Sequence, residues 1–499
     1  MKRILLLAAL VGWSVACSNK DLDLPQPGGL TEKEFYKSEA DAIQAVNAAY
    51  SALAAPNLYG RMMHVAQDLL SDESEITPTT NANWAALRRF EAGADNEVVA
   101  AIWTGCYQGI HRANLVLDRV PNIDMNAGLK DRLLAEARFL RGLYYFMLVT
   151  TYGDVPLQLS VVNVSQASQP RPSRTPADQV YEAILQDFAE AEKKLPESYT
   201  GNDLGRATRG AAKGFQAKAL LYRADRTGNK ADYAAAAKLF GEIIGSGVYE
   251  LMPDYRQNFT AENENNRESL FEVQFSTTVD PGAFCDNCGT GSLRALEMGV
   301  RGRANNQLIP SEAYVQQFEA DDSRLLVSVF GPPGSVFDGQ DYFRLFFYNS
   351  WSQIRPRDFA VRKYQKDAGN EFDWNTGSGI NFRLMRFADV LLMYAEASVR
   401  ANGLTEPALE ALNRVRARAG MAAVSAGSTE EFMQLLEAER MRELGLEGSR
   451  WRDLVRWKRA ASVLEEQGRL FDPRKHYLFP IPASERRLNP NLVQNPGWD

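Results

Sequence analysis

The sequence predicts a mainly α protein, a tetratricopeptide-like α–α superhelix with an inserted region of irregular chain and short strands. Three observations predict it. Apolar residues recur at three- and four-residue steps through most of residues 31–250 and 381–499. Within those runs, alanines alternate with Tyr and Phe. Ala lets neighbouring helices approach and the aromatics fill the groove between them, as in tetratricopeptide-like hairpins. From about Leu251 to Ile380 the helical period stops, and Gly, Asn, Asp and Pro become dense.

The elements follow in order. Lys2 and Arg3 precede an apolar run, Ile4 to Val15, too short for the roughly 20 residues a membrane span needs. It has the length and flanks of a secretory signal, so residues 1–16 read as a signal peptide. Ser14 and Ala16 would satisfy an ordinary signal peptidase. The same stretch resembles a lipobox, with Ser14 where an aliphatic residue is usual, and acylation of Cys17 explains a cysteine standing directly at the cut. Residues 17–30, polar with Pro and Gly, then form a lipidated tether. Several acyl chains, at about 0.8 kcal/mol per buried methylene, anchor a protein firmly.

The body spans residues 31–499. Ser38-x-x-Asp41 opens a helix with Ala42, Val46, Ala49, Tyr50 and Leu53 on one face. A second runs from Val98 to Val120 and stops at Pro121, and a third runs from Leu129 to Gly153. Thr175-Pro176 places an N-cap before a Pro at the first helical position. Thr208 caps another helix, whose partner carries Tyr233, Ala237, Phe240 and Ile244. In the region 251–380, Glu268 to Phe275 alternates like a strand. Helices return over Phe387–Asn402, Pro407–Ala419, Thr429–Leu444 and Leu446–Lys458, and His476–Pro482 reads as strand-like.

The chain has 499 residues and a formal charge of −7, or −9 without Lys2 and Arg3. Length alone suggests about three domains. The acidic balance excludes a basic nucleic-acid binder. A 45% hydrophobic content excludes disorder, and four cysteines exclude a disulfide scaffold. No stretch after the signal approaches 18 consecutive apolar residues. HExxH, GxSxG, Walker A and GxGxxG signatures are absent, and three histidines leave little for metal or triad chemistry, so no cofactor is expected.

Several segments together resemble the SusD/RagB family of outer-membrane nutrient-binding lipoproteins. They are Ala135-Glu136-Ala137-Arg138-Phe139-Leu140-Arg141-Gly142-Leu143-Tyr144-Tyr145-Phe146 with Thr151-Tyr152-Gly153-Asp154-Val155-Pro156, and Leu384-Met385-Arg386-Phe387-Ala388-Asp389 leading to Tyr394-Ala395-Glu396-Ala397. Next come Ala411-Leu412-Asn413-Arg414-Val415-Arg416-Ala417-Arg418, Glu439-Arg440-x-Arg442-Glu443-Leu444 and Arg450-Trp451-Arg452-Asp453-Leu454. The last are Tyr477-Leu478-Phe479-Pro480-Ile481-Pro482 and Asn489-Pro490-Asn491. The resemblance covers nearly the whole chain in order. It implies four tetratricopeptide-like pairs, a surface-exposed outer-membrane location, and a SusC-like TonB-dependent barrel as partner. It also implies binding and delivery of oligosaccharide, or peptide in some members, without hydrolysis. Asp21 and Asp23 look like the acidic export signal of such lipoproteins.

Arg386, Glu396, Arg414, Arg440, Glu443, Arg450 and Asp453 lie in apolar helices, where a charge is tolerated only when paired; they read as an internal ion-pair network. Trp103, Trp451 and Trp457 read as core. Trp84, Trp351 and Trp374 sit in Asn-, Thr-, Ser- and Gly-rich segments, which suits stacking on sugar faces; the plain alternative is loop anchoring. Tyr59, Tyr348, Asn81, Asn83 and Arg355 are their companions as ligand-binding candidates. Cys285-x-x-Cys288 reads as a disulfide bracing its loop, and Cys106 as a buried thiol. Asp373-x-Asn375-x-Gly377 lacks the ligand series of a calcium loop. A glycan-cleaving lipoprotein would need only two carboxyls at a set separation, and the sequence singles out no such pair. A helical scaffold without a small ligand is the remaining alternative.

Overall fold

A computed structural model describes residues 35–161, 171–277, 291–301, 303–337, 339–342, 359–365 and 377–498. The signal peptide and tether, 1–16 and 17–30, lie outside them. The chain begins with α1, Glu39–Ala54, closed by a reciprocal Ser38/Asp41 capping box. Two short helices follow, α2 (Met62–Leu70) and α3 (Ala82–Arg88), with strand β1 (Ser74–Ile76) between them. Neither helix was legible in the sequence. α2 is buried on nearly every side, His64, Gln67 and Asp68 included, so it has no polar stripe to set a period. Next come α4 (Glu97–Arg119), α5 (Ala127–Tyr152), α6 (Ala177–Lys194), α7 (Arg209–Thr227) and α8 (Lys230–Gly245).

Caps fix these boundaries. Thr208 accepts from the Ala211 amide, and Gly228 adopts the left-handed conformation that ends α7. Before α6 the expected roles shift by one residue. Pro176 is itself the cap position, and the carboxylate of Asp154 accepts from the Ala177 amide at 2.8 Å in place of Thr175. Close helix approach is visible at Gly109 on α4: a Cβ there would lie 2.3–2.6 Å from ring carbons of Tyr144 on α5. Tyr144 is pinned because its hydroxyl donates to the Ala49 carbonyl at 2.6 Å.

The insert carries β2 (Ser269–Val273), α9 (Arg294–Met298), β3 (Leu308–Pro310), α10 (Glu312–Val315) and α11 (Arg324–Ser328). Short strands β4 (Val329–Phe330), β5 (Val336–Phe337), β6 (Gln340–Asp341) and β7 (Ala360–Val361) follow, and β8 (Phe382–Arg386) leads back to the helices. The strands form two-stranded antiparallel ladders: β1 with β3, β2 with β8, β4 with β7 and β5 with β6. The C-terminal part comprises α12 (Phe387–Asn402), α13 (Glu406–Arg418), α14 (Thr429–Leu444), α15 (Arg450–Arg456), α16 (Ala460–Glu466) and α17 (Ala483–Leu488).

The long helices stack in pairs, α1 with α4, α5 with α6, α7 with α8 and α12 with α13. Each pair packs on the next, and α8 lies directly against α12 although the whole insert separates them in the chain. Residues 251–380 therefore leave and rejoin a continuous superhelix between its third and fourth pairs. Two expectations are corrected. The helix expected from Leu446 begins only at Arg450, because Leu446 and Gly448 take positive φ of 61° and 76°. His476–Pro482 forms no strand: Pro480 and Pro482 lack donors, and the Ile481 amide donates to the Gln494 side chain instead of to a ladder.

Candidate functional site

Buried charge comes first, because it decides which acids are free. Glu443 accepts from Arg386 at 3.0 Å, from Arg324 at 3.2 Å and from Arg418. Arg386 also reaches Glu268 at 2.5 Å and Glu447 at 2.8 Å. This set ties the insert to α13 and α14. A second set joins Arg440 to Asp389 and Asp453 at 2.9 and 2.7 Å, Lys218 to Asp389 at 3.0 Å, and Arg456 to Glu396 at 2.6 Å. Arg450 holds Asp72 at 2.8 Å. Burial alone would raise Glu443 and Glu396, but the guanidiniums outweigh it. Glu443 is held far below the usual range by Arg418, Arg386 and Arg324, and Glu396 is held at about 2, chiefly by Arg456. The expected ion-pair network is present, with one correction. Arg414 stands outside it, exposed, with its guanidinium over the Phe387 ring at 5.5 Å; Arg416 and Arg418 face inward instead.

The ligand-binding candidates divide. Trp351, Trp374, Tyr348 and Arg355 lie outside the described residues, as do Cys17, Cys285 and Cys288. Trp84 is 1% exposed, in the main core, with the Arg61 guanidinium 4.9 Å from its ring centroid. Tyr59 is 4% exposed and stacks on Phe382 at 5.6 Å. Neither offers a face to a sugar, so Trp84 is corrected from stacking platform, and Tyr59 from companion ligand contact, to core. The Asn- and Thr-rich flank of Trp84 suggested a loop, but Trp84 is carried inward by α3. Asn81 caps that helix, accepting from the Asn83 amide at 2.8 Å, and its own amide donates to Gln307 at 2.7 Å. Asn81 and Asn83 are both exposed. Trp103 and Trp451 are core as expected; Trp457 is half-buried and donates to Glu396 at 2.6 Å. Cys106 is a buried free thiol, its pKa pushed up by burial.

Trp84 also belongs to a support. Arg61 pairs with Glu297 at 2.6 Å, and Thr77 and Thr80 donate to the carbonyls of Asn306 and Gln307 at 2.9 and 2.6 Å. The Leu293 amide donates to the Gly60 carbonyl at 2.8 Å. The ends of two segments meet on this support. Ser292 and Ser378 exchange backbone hydrogen bonds at 2.8 Å each, and a Cβ on Gly379 would lie 3.4 Å from Thr277. Thr277, Ser292, Ser378 and Gly379 therefore meet at one place. Val300, Phe330, Phe337, Tyr342 and Ala360 form a separate small apolar cluster next to Gly299. Gln365 stands beside Gly299 in the same region.

A groove leads to that place. Its floor is β2 and the residues after it, Phe271 to Ser276; its walls are Asn47, Tyr50, Leu204 and Arg206, and its volume is ≈ 370 Å³. It adjoins a cleft of ≈ 180 Å³ beside Tyr199 and Tyr249, sharing Leu204–Arg206 and Phe271–Glu272. Gly205 sits where the walls meet, at φ +90°, a left-handed conformation that L side chains rarely adopt. Gln274, Asn265 and Asn381 form an amide network along the edge. None of these polar residues had a distinguishing signal in the sequence.

One carboxyl here is unusual. Burial pushes Glu264 up to about 7, only partly offset by the Asn381 amide that donates to it at 2.8 Å, with Glu272 adding repulsion. A raised carboxyl favours the fold below its unfolded pKa and loses that advantage as pH rises through about 7. Glu264→Gln should therefore match the parent at pH 4 and exceed it by about 1 kcal/mol at pH 8, a figure reduced for solvent screening. Urea melts at the two pH values check this. Among the described residues, no His, Cys, Asp and Glu cluster is arranged to hold a metal ion, and no helix is long and apolar enough to cross a membrane.

The comparisons agree with this architecture. The family profile described as "SusD family" matches residues 222–471 and 464–498, and "Starch-binding associating with outer membrane" matches residues 30–221. The SusD-like protein P2 of Formosa agariphila is 28% identical, covering 99% of this chain and 98% of its own. The starch-binding protein SusD of Bacteroides thetaiotaomicron is 24% identical over 99% and 98%. The solved surface glycan-binding protein A of Bacteroides uniformis superposes with a TM-score of 0.74 at 26% identity, covering 92% of this chain and 99% of that one.

Proposed function

Because the chain belongs to the SusD family, we propose that it is a surface-exposed outer-membrane lipoprotein that binds an oligosaccharide and hands it, uncleaved, to a SusC-like TonB-dependent barrel. The observation that supports this most is the end-to-end match to two family profiles, one described as starch-binding and associated with the outer membrane. Two relatives carry starch-binding and glycan-binding in their names. The groove along β2 would hold the chain, and Trp351, Trp374, Tyr348, Arg355, Asn81 and Asn83 remain the side chains proposed to contact it. Cys17 would carry the anchor.

Delivery without cleavage suits the buried acids. Glu443, Glu396 and Asp389 each accept from one or more cationic side chains that hold them below the usual carboxylate range, and such carboxylates have no proton to give to a leaving group. A glycan array with the purified chain tests the reading. On the glycan that binds, Trp351→Ala with Trp374→Ala should weaken affinity about tenfold or more, as loss of a stacking anchor does. Retained affinity removes those residues from the site, new reducing ends would replace delivery with hydrolysis, and a pull-down without a barrel protein would remove the transport partner.

A further inference from the structure

A second cleft lies elsewhere, between α5, α6, α7 and α15. Its volume is ≈ 370 Å³, at the small end of ligand sites. Tyr181, Tyr222, Trp451 and Tyr477 wall it together with Val149, Val455 and Leu478. Exposed Arg226 and Lys458 stand at its edge.

Arg452 lines this cleft and is out of balance with its surroundings. Around it, Lys218, Arg400, Arg440 and Arg456 are matched by Asp225, Glu396, Asp389 and Asp453. Arg452 is one cation more. Among the described residues it has neither an ion-pair nor a hydrogen-bond partner; its Nη2 is buried without an acceptor, and its one recorded contact is the Phe146 ring, 5.8 Å from the guanidinium carbon. Arg452 is half-buried, and its Nη2, withdrawn from water, needs an acceptor; five N–H donors in a fixed fork suit a carboxylate. The hydroxyls of Tyr181 and Tyr222 likewise have no protein partner among the described residues and lie along the same cleft. Aromatic walls, two spare hydroxyls and one spare guanidinium describe a receptor for a flat or ring-shaped anion.

The geometry points to a second ligand site here, separate from the groove along β2, that takes a small ring-bearing carboxylate with Arg452 as its charge partner. Two sources share that chemistry, a uronic acid and an aromatic acid. Glucuronate, benzoate and glucose, each titrated calorimetrically into the purified full chain, separate them. At least one carboxylate should bind about tenfold or more tightly than glucose, and the preferred one names the source. Arg452→Gln should weaken that binding about ten- to a hundredfold, as loss of a charge-assisted pair does. The same variant should melt at or above the parent temperature, since it removes a half-buried charge that has no partner among the described residues. Tyr181→Phe should cost a few fold. Equal binding of glucose and carboxylates, no binding of either carboxylate at millimolar concentration, or unchanged affinity in Arg452→Gln overturns the assignment. The array glycan of the β2 groove is the control. Its binding should survive Arg452→Gln, so failure of either site is recognisable on its own.

Discussion

Glutamine in place of Glu443 is expected to destabilise the protein by about 4 kcal/mol, within the range for breaking a buried ion pair from one side. The carboxylate is fully buried and accepts from three guanidiniums. Glutamine keeps the volume but removes the charge, leaving Arg324, Arg386 and Arg418 to share too few acceptors. That loss is a large part of an ordinary folding stability of about 5–15 kcal/mol. The pH dependence has a definite sign. Glu443 and Glu396 have depressed folded pKa values, so their contribution is complete above the unfolded value near 4.5 and is lost as pH falls below it, toward about 2 for Glu396. Denaturant melts of parent and variant should therefore differ most at pH 7 and converge as the parent itself loses its carboxylates. A difference below about 1 kcal/mol at pH 7 would reject the network as a determinant of stability.

The second large effect concerns Trp84. Trp84→Ala is expected to cost about 3–5 kcal/mol, the range for deleting a buried indole. It also strips the Arg61 guanidinium of the ring it covers. Trp84→Phe should cost far less, about 1.5 kcal/mol or under, because the indole N–H it removes is buried without a partner. Glycan affinity decides between core and site. Trp84→Phe should bind as the parent does, and a tenfold loss in that folded variant would return Trp84 to the binding surface.

What was legible followed from the range of each signal. Caps and helical periods are local, and α12 and α14 begin and end at Phe387, Asn402, Thr429 and Leu444 as the pattern predicts. The strand before Phe275 was legible from alternation, but its partner β8 was not, since pairing joins residues far apart in the chain. The charged motif residues read as a network because a charge in an apolar helix has few alternatives. Arg414 was misassigned because three arginines in five residues cannot all face inward on a helix, and sequence does not say which turns out. The site was the least legible part. Trp84 sits in polar company along the chain and in apolar company in space, and the groove depends on Tyr50, Leu204–Arg206 and Gln274, which meet only after the superhelix closes.

The direct packing of α8 on α12 has a kinetic consequence. Each earlier pair meets its neighbour across a short connection, so those contacts can form as soon as the helices exist. The fourth pair must instead close a loop that contains the whole insert. Refolding should therefore have two phases, a fast one for α1–α8 and a slower one in which α12 covers the apolar side of α8. Between them that helix face is open to solvent, and it is the surface on which incompletely folded chains would associate.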